Sequence, residues 1–163
     1  MNKMCFLFTF AFLLGIIEIL YFYPQLPDYI AVHFNITGSA DRWGSKEHFF
    51  WTMEIVFVFL VVLFGAMPLL IRLLPVSLIS LPDKDYWFAP IRKEQTINRL
   101  VNRLLLLGFM VLLFMDGIFY LSIKANLTDR PALPPDLLWG MIVIFLTFTI
   151  VWTISLIKSF RQP

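Results

Sequence analysis

The sequence has little of what enzyme sites are commonly built from. It holds a single cysteine, Cys5, so no intrachain disulfide can form. Its seven glycines are dispersed and form neither a phosphate-cradling loop nor a dinucleotide fingerprint. GxSxG, HExxH and CxxC are all missing. Neither of the two histidines lies deep within an apolar run, where an axial haem ligand would be needed. Charge is scarce as well, at 15% of residues with a net value of +2. That small excess decides nothing about nucleic acid, and no nucleic-acid partner is expected. These gaps predict a protein that is not an enzyme and carries no cofactor and no metal.

What the chain has in excess is apolar surface. Of its 163 residues, 60% are hydrophobic and 17% aromatic, and the mean hydropathy is +0.80. A soluble domain is roughly 45–50% apolar, so the surplus points to a bilayer, where a helix needs about 20 consecutive apolar residues. Four stretches satisfy this: Met4–Tyr23, Trp51–Leu74, Leu104–Ile123 and Leu137–Ile157. Each is unbroken rather than alternating, which selects helices over barrel strands. The expected fold is an all-α integral membrane protein of one domain with four spans. Met1–Tyr23 is read as a retained first span, because "YFYPQLPD" follows it in place of a small-x-small cleavage site. Pro68 is expected to kink the second span.

Lys and Arg are unevenly shared. Nine of the thirteen (Lys3, Arg72, Lys84, Arg92, Lys93, Arg99, Arg103, Lys158, Arg161) occupy the N-terminus, the middle connection and the C-terminus. Arg42, Lys46, Lys124 and Arg130 occupy the first and third connections. The positive-inside rule then places both termini in the cytoplasm of a cell (inner) membrane and the segment 24–50 outside. That segment is too long for a structureless loop. "YIAVHF" (Tyr29–Phe34) has strand character, "NITGSAD" reads as a turn centred on Gly38, and Ser45 suits the N-cap of the next helix. A short external hairpin is predicted. "NIT" (Asn35–Thr37) and "NLT" (Asn126–Thr128) match the glycosylation tripeptide.

Three acids lie inside predicted spans: Glu18, Glu54 and Asp116. Counted from the outer helix ends at 1.5 Å per residue, all three fall in one layer roughly 5–11 Å deep. Two readings stand side by side. Long side chains can snorkel, pair or protonate; alternatively, the acids floor an outward-facing polar pocket with His33 and His48 at its rim. The histidines and acids are suitable zinc ligands in kind, but His48 and Glu54, six residues apart, fall on different sides of a helix, and no short-spaced pair exists. Between spans two and three, the segment 75–103 carries "LPDKDYWFAP", composed like a headgroup-level segment, and then a helix. Arg92, Arg99 and Arg103 recur on one face of it as a basic stripe for membrane lipid or a cytosolic partner.

"LPDYIAVHFNITGSADRWGSK" resembles the signature of a bacterial membrane domain of unknown function found at the N-terminus of SdpI-type proteins, which confer immunity to the sporulation-delaying toxin. The matching positions are Leu26, Pro27, Asp28, His33, Phe34, Asn35, Gly38, Asp41 and Lys46. The later "LPDKDYWFAPIRKEQTINRL" is similar to a cytoplasmic segment of the group's short members, at Tyr86, Trp87, Pro90 and Arg92. The resemblance extends over roughly the first hundred residues. It implies protection against a secreted peptide toxin, coupled to signalling at the membrane, although this chain has fewer spans than the full immunity proteins. A sensor- or immunity-like protein facing an external peptide or small ligand is therefore expected first. An accessory subunit of a larger membrane protein and a cation- or proton-coupled carrier are the alternatives.

Overall fold

The computed structural model describes residues 3–161. Four helices are long and apolar enough to cross a membrane: α1 (Lys3–Phe22), α2 (Lys46–Leu73), α4 (Lys93–Asn126) and α5 (Pro135–Ser159). The chain is a mostly helical, multi-pass membrane protein. Between α1 and α2 lies an antiparallel hairpin of β1 (Tyr29–Phe34) and β2 (Ala40–Ser45), and a single-turn α3 (Lys84–Trp87) precedes α4.

The helices overrun the apolar stretches because their ends are capped or extended by polar sequence. α2 starts at Lys46 because the Ser45 hydroxyl accepts a hydrogen bond from the His48 backbone N–H at 3.3 Å, satisfying one of the free donors of a first turn. Glu47 sits in that turn, where the helix dipole favours an acid. Pro68 lies within α2, which continues through it to Leu73. α4 has 34 residues and is therefore about 50 Å long, well beyond the roughly 30 Å hydrocarbon layer.

α4 is the wall on which the other spans lean: α1, α2 and α5 each pack against it. Its buried positions, including Ile97, Leu105, Leu112, Asp116, Phe119 and Ile123, recur every three or four residues along its whole length. By contrast α5 buries no residue, and its Val143, Ile144, Ile150 and Val151 are exposed, as expected of a lipid-facing helix.

The buried apolar side chains form two clusters. One is built on Ala11, Phe57, Leu105 and Leu112 and reaches Phe160, which is 1% exposed. The other lies under the hairpin and joins Leu26, Ile30, Phe49, Phe50, Phe119 and Ile123. At the α3 end, the Trp87 indole N–H donates to the Phe160 carbonyl at 2.9 Å and the Thr96 hydroxyl donates to the Trp87 carbonyl at 2.8 Å. The segment before α4 is thereby tied to the last turn of α5.

An isolated two-stranded hairpin is marginal in water, and here two links attach it to the bundle. Asn126, at the end of α4, presents its side-chain amide to the backbone of β1 as another strand would. Asn126 Oδ1 accepts from Ala31 N–H at 2.7 Å and Nδ2 donates to the Ala31 carbonyl at 2.9 Å. The second Nδ2 hydrogen is taken by the Ser122 carbonyl at 3.0 Å. At the turn, Gly38 has φ of +82°, and its carbonyl accepts from Leu133 N–H at 2.8 Å. A Cβ on Gly38 would come within 2.2 Å of the Leu133 carbonyl oxygen, so both conformation and space require glycine there.

Replacing Asn126 by leucine should leave the Ala31 N–H and carbonyl buried without partners, at about 1–3 kcal/mol for each group. Thermal melts in detergent should fall accordingly, while Lys124→Gln, on the exposed side of the same turn, should stay within about 0.5 kcal/mol of wild type.

Candidate functional site

α1, α2 and α4 each carry one acid into the boundary between the two apolar clusters. On α4, Asp116 lies between Leu112 of one cluster and Phe119 of the other; on α2, Glu54 lies between Phe57 and Phe50. On α1, Glu18 follows Ala11 and Gly15. Asp116 is 3% exposed. Glu54 and Asp116 line a common cavity of about 20 Å³ with Gly15, Ile19, Met53, Phe57, Met115 and Phe119, which is room for about one water. Glu18 does not line this cavity. Each acid has one buried oxygen without a hydrogen-bond partner: Glu18 Oε2, Glu54 Oε2 and Asp116 Oδ2.

Gly15 makes this convergence possible. A Cβ there would lie 2.5 Å from Phe57 Cζ and 2.7 Å from Asp116 Oδ1. Its absence lets the α1 backbone come up against the carboxyl group, the usual use of small residues between membrane helices. A larger space of about 500 Å³ adjoins the cavity, bounded by Ile16, Ile19, Leu20 and Tyr23 on one side and Glu47, Phe50, Trp51 and Glu54 on the other. Glu54 and Ile19 line both spaces. The larger space opens between α1 and α2, beside the exposed Leu20 and Trp51.

The histidines lie elsewhere. His48 is on the exposed first turn of α2 and lines neither space. His33 Nδ1 is 2.5 Å from Asp41 Oδ1 across the hairpin. No group of three or more His, Cys, Asp and Glu among the described residues is arranged to hold a metal ion.

The motif residues of the hairpin act chiefly on one another. Lys46 Nζ donates to the Leu26 carbonyl at 2.9 Å, lies 3.2 Å from Asp28 Oδ1 and sits 5.0 Å from the Tyr23 ring centre. Asn35 Oδ1 accepts from Thr37 N–H, the Thr37 hydroxyl and Ser39 N–H, which closes the turn before Gly38. Pro27 is exposed beside Asp28, in the connection between α1 and β1.

The arginines divide. Arg92 stacks on Tyr86, with its guanidinium carbon 4.0 Å from the ring centre, and donates to the Tyr86 carbonyl. Arg99 donates to the Ser159 carbonyl at 3.1 Å and lies over Trp87 and Phe160. Arg103 donates to the Ser155 hydroxyl at 2.9 Å. Two members of the expected stripe thus hold α5, and the third turns back to the segment before α4.

Residues 9–58 match the model of a family described as a domain of unknown function (DUF1648). The match covers most of α1, the hairpin and the start of α2, with Glu18 and Glu54 inside it and Asp116 outside. No curated protein and no solved structure matches the chain.

Sequence reasoning passed over Gly15 and noted Asn126 only as part of a tripeptide that matches the glycosylation pattern. Asn126 is 5% exposed, and the Nδ2 that would carry a glycan is bonded to Ala31 and Ser122, so its role is structural. Its place four residues past Ser122, on the buried face of α4, is the signal that marks it as inward.

Gly15→Ala should push Phe57 and Asp116 out of place and lower thermal stability by about 1–3 kcal/mol. Gly65→Ala is the control: its added methyl would meet only Phe8 Cε1, at 3.7 Å, and the melting temperature should not fall.

Proposed function

We propose that the chain is a non-enzymatic, sensor- or immunity-like membrane protein. Its acid layer takes the positively charged group of a peptide or small ligand arriving at the hairpin end. In this reading the hairpin is extracytoplasmic and both termini are cytoplasmic, in the cell membrane, as the nine-to-four division of Lys and Arg suggests.

The observation that carries the proposal is Asp116, 3% exposed with an unpartnered Oδ2, meeting Glu54 beside a space that opens between α1 and α2. Acids inside a membrane are costly and mark functional positions by default. Removing such groups from water without a partner costs stability, and a ligand cation supplies the missing partner. The mixed lining of the adjoining space, with Ile16, Leu20, Phe50 and Trp51 around Glu47 and Glu54, suits a ligand having both an apolar part and a cationic group.

The carrier reading has less support. The apolar cluster of Phe8, Ala11, Phe57, Leu105 and Leu112 lies between the acids and the opposite end, and among the described residues it offers no polar group for a route onward. The accessory-subunit reading draws on α5, whose exposed apolar face is wide enough for a neighbouring span.

Native mass spectrometry of the protein in mild detergent tests the proposal. The wild type should retain a small or peptidic cationic ligand, and its occupancy should fall at least about tenfold in Asp116→Asn, the equivalent of about 1.4 kcal/mol. Freed of ligand, the same variant should melt no lower than ligand-free wild type, because it removes an ionisable carboxyl group buried without a partner. A larger membrane protein retained in fixed ratio, with no small ligand, would favour the subunit reading instead.

A further inference from the structure

At the end of the bundle away from the hairpin, a second space of about 680 Å³ is lined by Lys3, Met4, Gln95, Asn98, Arg99, Asn102, Arg103 and Leu106. Its lining has three cations and three carboxamides and no acid. Residues 95 to 106 present one face of α4, at spacings of three and four, and the start of α1 brings Lys3 and Met4 to meet it. The arrangement differs from the stripe expected on α4 alone, because Arg92 is turned onto Tyr86 and Lys3 comes from another helix.

We propose that this groove binds the phosphate of an anionic phospholipid, with Lys3, Arg99 and Arg103 as its counter-charges. The guanidinium groups are already positioned. Arg99 is held by the Ser159 carbonyl and Arg103 by the Ser155 hydroxyl, each through one nitrogen. A guanidinium has five N–H donors, so others remain for the phosphate oxygens, and phosphate is a ligand to which planar donor groups are well matched. Arg72 donates to Asn98 Oδ1 at 2.7 Å, so the N–H side of that amide is the end left to offer. A lining with three cations and no carboxylate favours an anion.

The ends of the groove point to a lipid as the source of that phosphate. Polar side chains occupy positions 95 to 103, whereas Leu106 and Met4 close it on the apolar side, where the membrane-crossing part of α4 begins. From Met4, α1 continues with Phe6 and Phe10, which are 55% and 52% exposed and offer a surface for acyl chains. A volume of several hundred cubic ångströms is the usual scale of a ligand site. The groove is independent of the acid layer and serves any of the functions considered above.

The test uses the full chain in phosphatidylcholine nanodiscs containing a minor fraction of phosphatidylglycerol, with retained lipid counted by native mass spectrometry. Wild type should keep one phosphatidylglycerol in preference to phosphatidylcholine. Lys3 has no partner among the described residues, so Lys3→Gln should leave the fold intact and lower retention roughly fivefold, the contribution of one basic residue near an anionic surface. Lys93→Gln removes the same charge from the exposed first turn of α4, outside the groove, and should change nothing. Equal losses in the two variants would show only a general attraction between basic surface and membrane and would overturn the site. Displacement of the lipid by millimolar glycerol phosphate would overturn the lipid as its occupant.

Discussion

The side-chain amide of Asn126 is the link on which the hairpin end depends. β1 and β2 form a sheet of only two strands among the described residues. Asn126 compensates by offering one acceptor and one donor to the same residue, Ala31, as a neighbouring strand would. The contact is buried on both sides, since Ala31 is 0% and Asn126 5% exposed. Water therefore competes poorly for these groups, and breaking the contact leaves both residues with unmet polar atoms. The same α4 that carries Asn126 carries Asp116, so the hairpin and the acid layer are set by one rigid element.

The polar side-chain pairs of the hairpin contribute differently. His33 and Asp41 are both exposed, and Asp28 is fully exposed beside Lys46. Exposed ion pairs add little to stability. What such pairs do is discriminate between registers, because a one-residue slip would reverse the faces of the strands and separate the partners. Ile30 and the apolar cluster beneath the hairpin supply the burial; Asn35 and Gly38 shape the turn; the charged residues choose one pairing among several. The fixed spacing of the motif is thus explained by hairpin architecture for most of its members, without assigning each a ligand.

Much of this was legible in the sequence. Apolar runs identified the four spans, alternating β-branched and aromatic residues identified β1, and Ser45 and Gly38 marked a cap and a turn because their chemistry is local. The common depth of Glu18, Glu54 and Asp116 could be counted from helix ends, since helical rise is constant. Their lateral arrangement could not, because depth carries no information about rotation around the bundle. That depends on the close approach allowed by Gly15 and on α4 facing α1 and α2 together. The contacts of the arginines within the bundle were hidden for a related reason. Their spacing placed them on one face correctly, but the residues facing them, Ser155 and Ser159 on α5, lie more than 50 positions away in sequence.

The position of the acids explains how the bundle tolerates them. A polar layer in the middle of one continuous core would interrupt its packing. Here the acids lie where two separately packed clusters meet, so each cluster retains its own contacts and the polar groups occupy the seam. Phe57 of one cluster and Phe119 of the other both line the small cavity that Glu54 and Asp116 share. Of the three helices that form the seam, α1 and α2 follow one another in the chain through the hairpin and pack together at Ala11, Phe12 and Phe57, whereas the space between them is open beside Glu54. Widening that opening requires α1 and α2 to separate near their hairpin ends, while α4, with Asn126 and Asp116, remains a common wall. The hairpin is attached to α1 and α2 by chain and to α4 by Asn126, so a separation of α1 from α2 would also strain the hairpin.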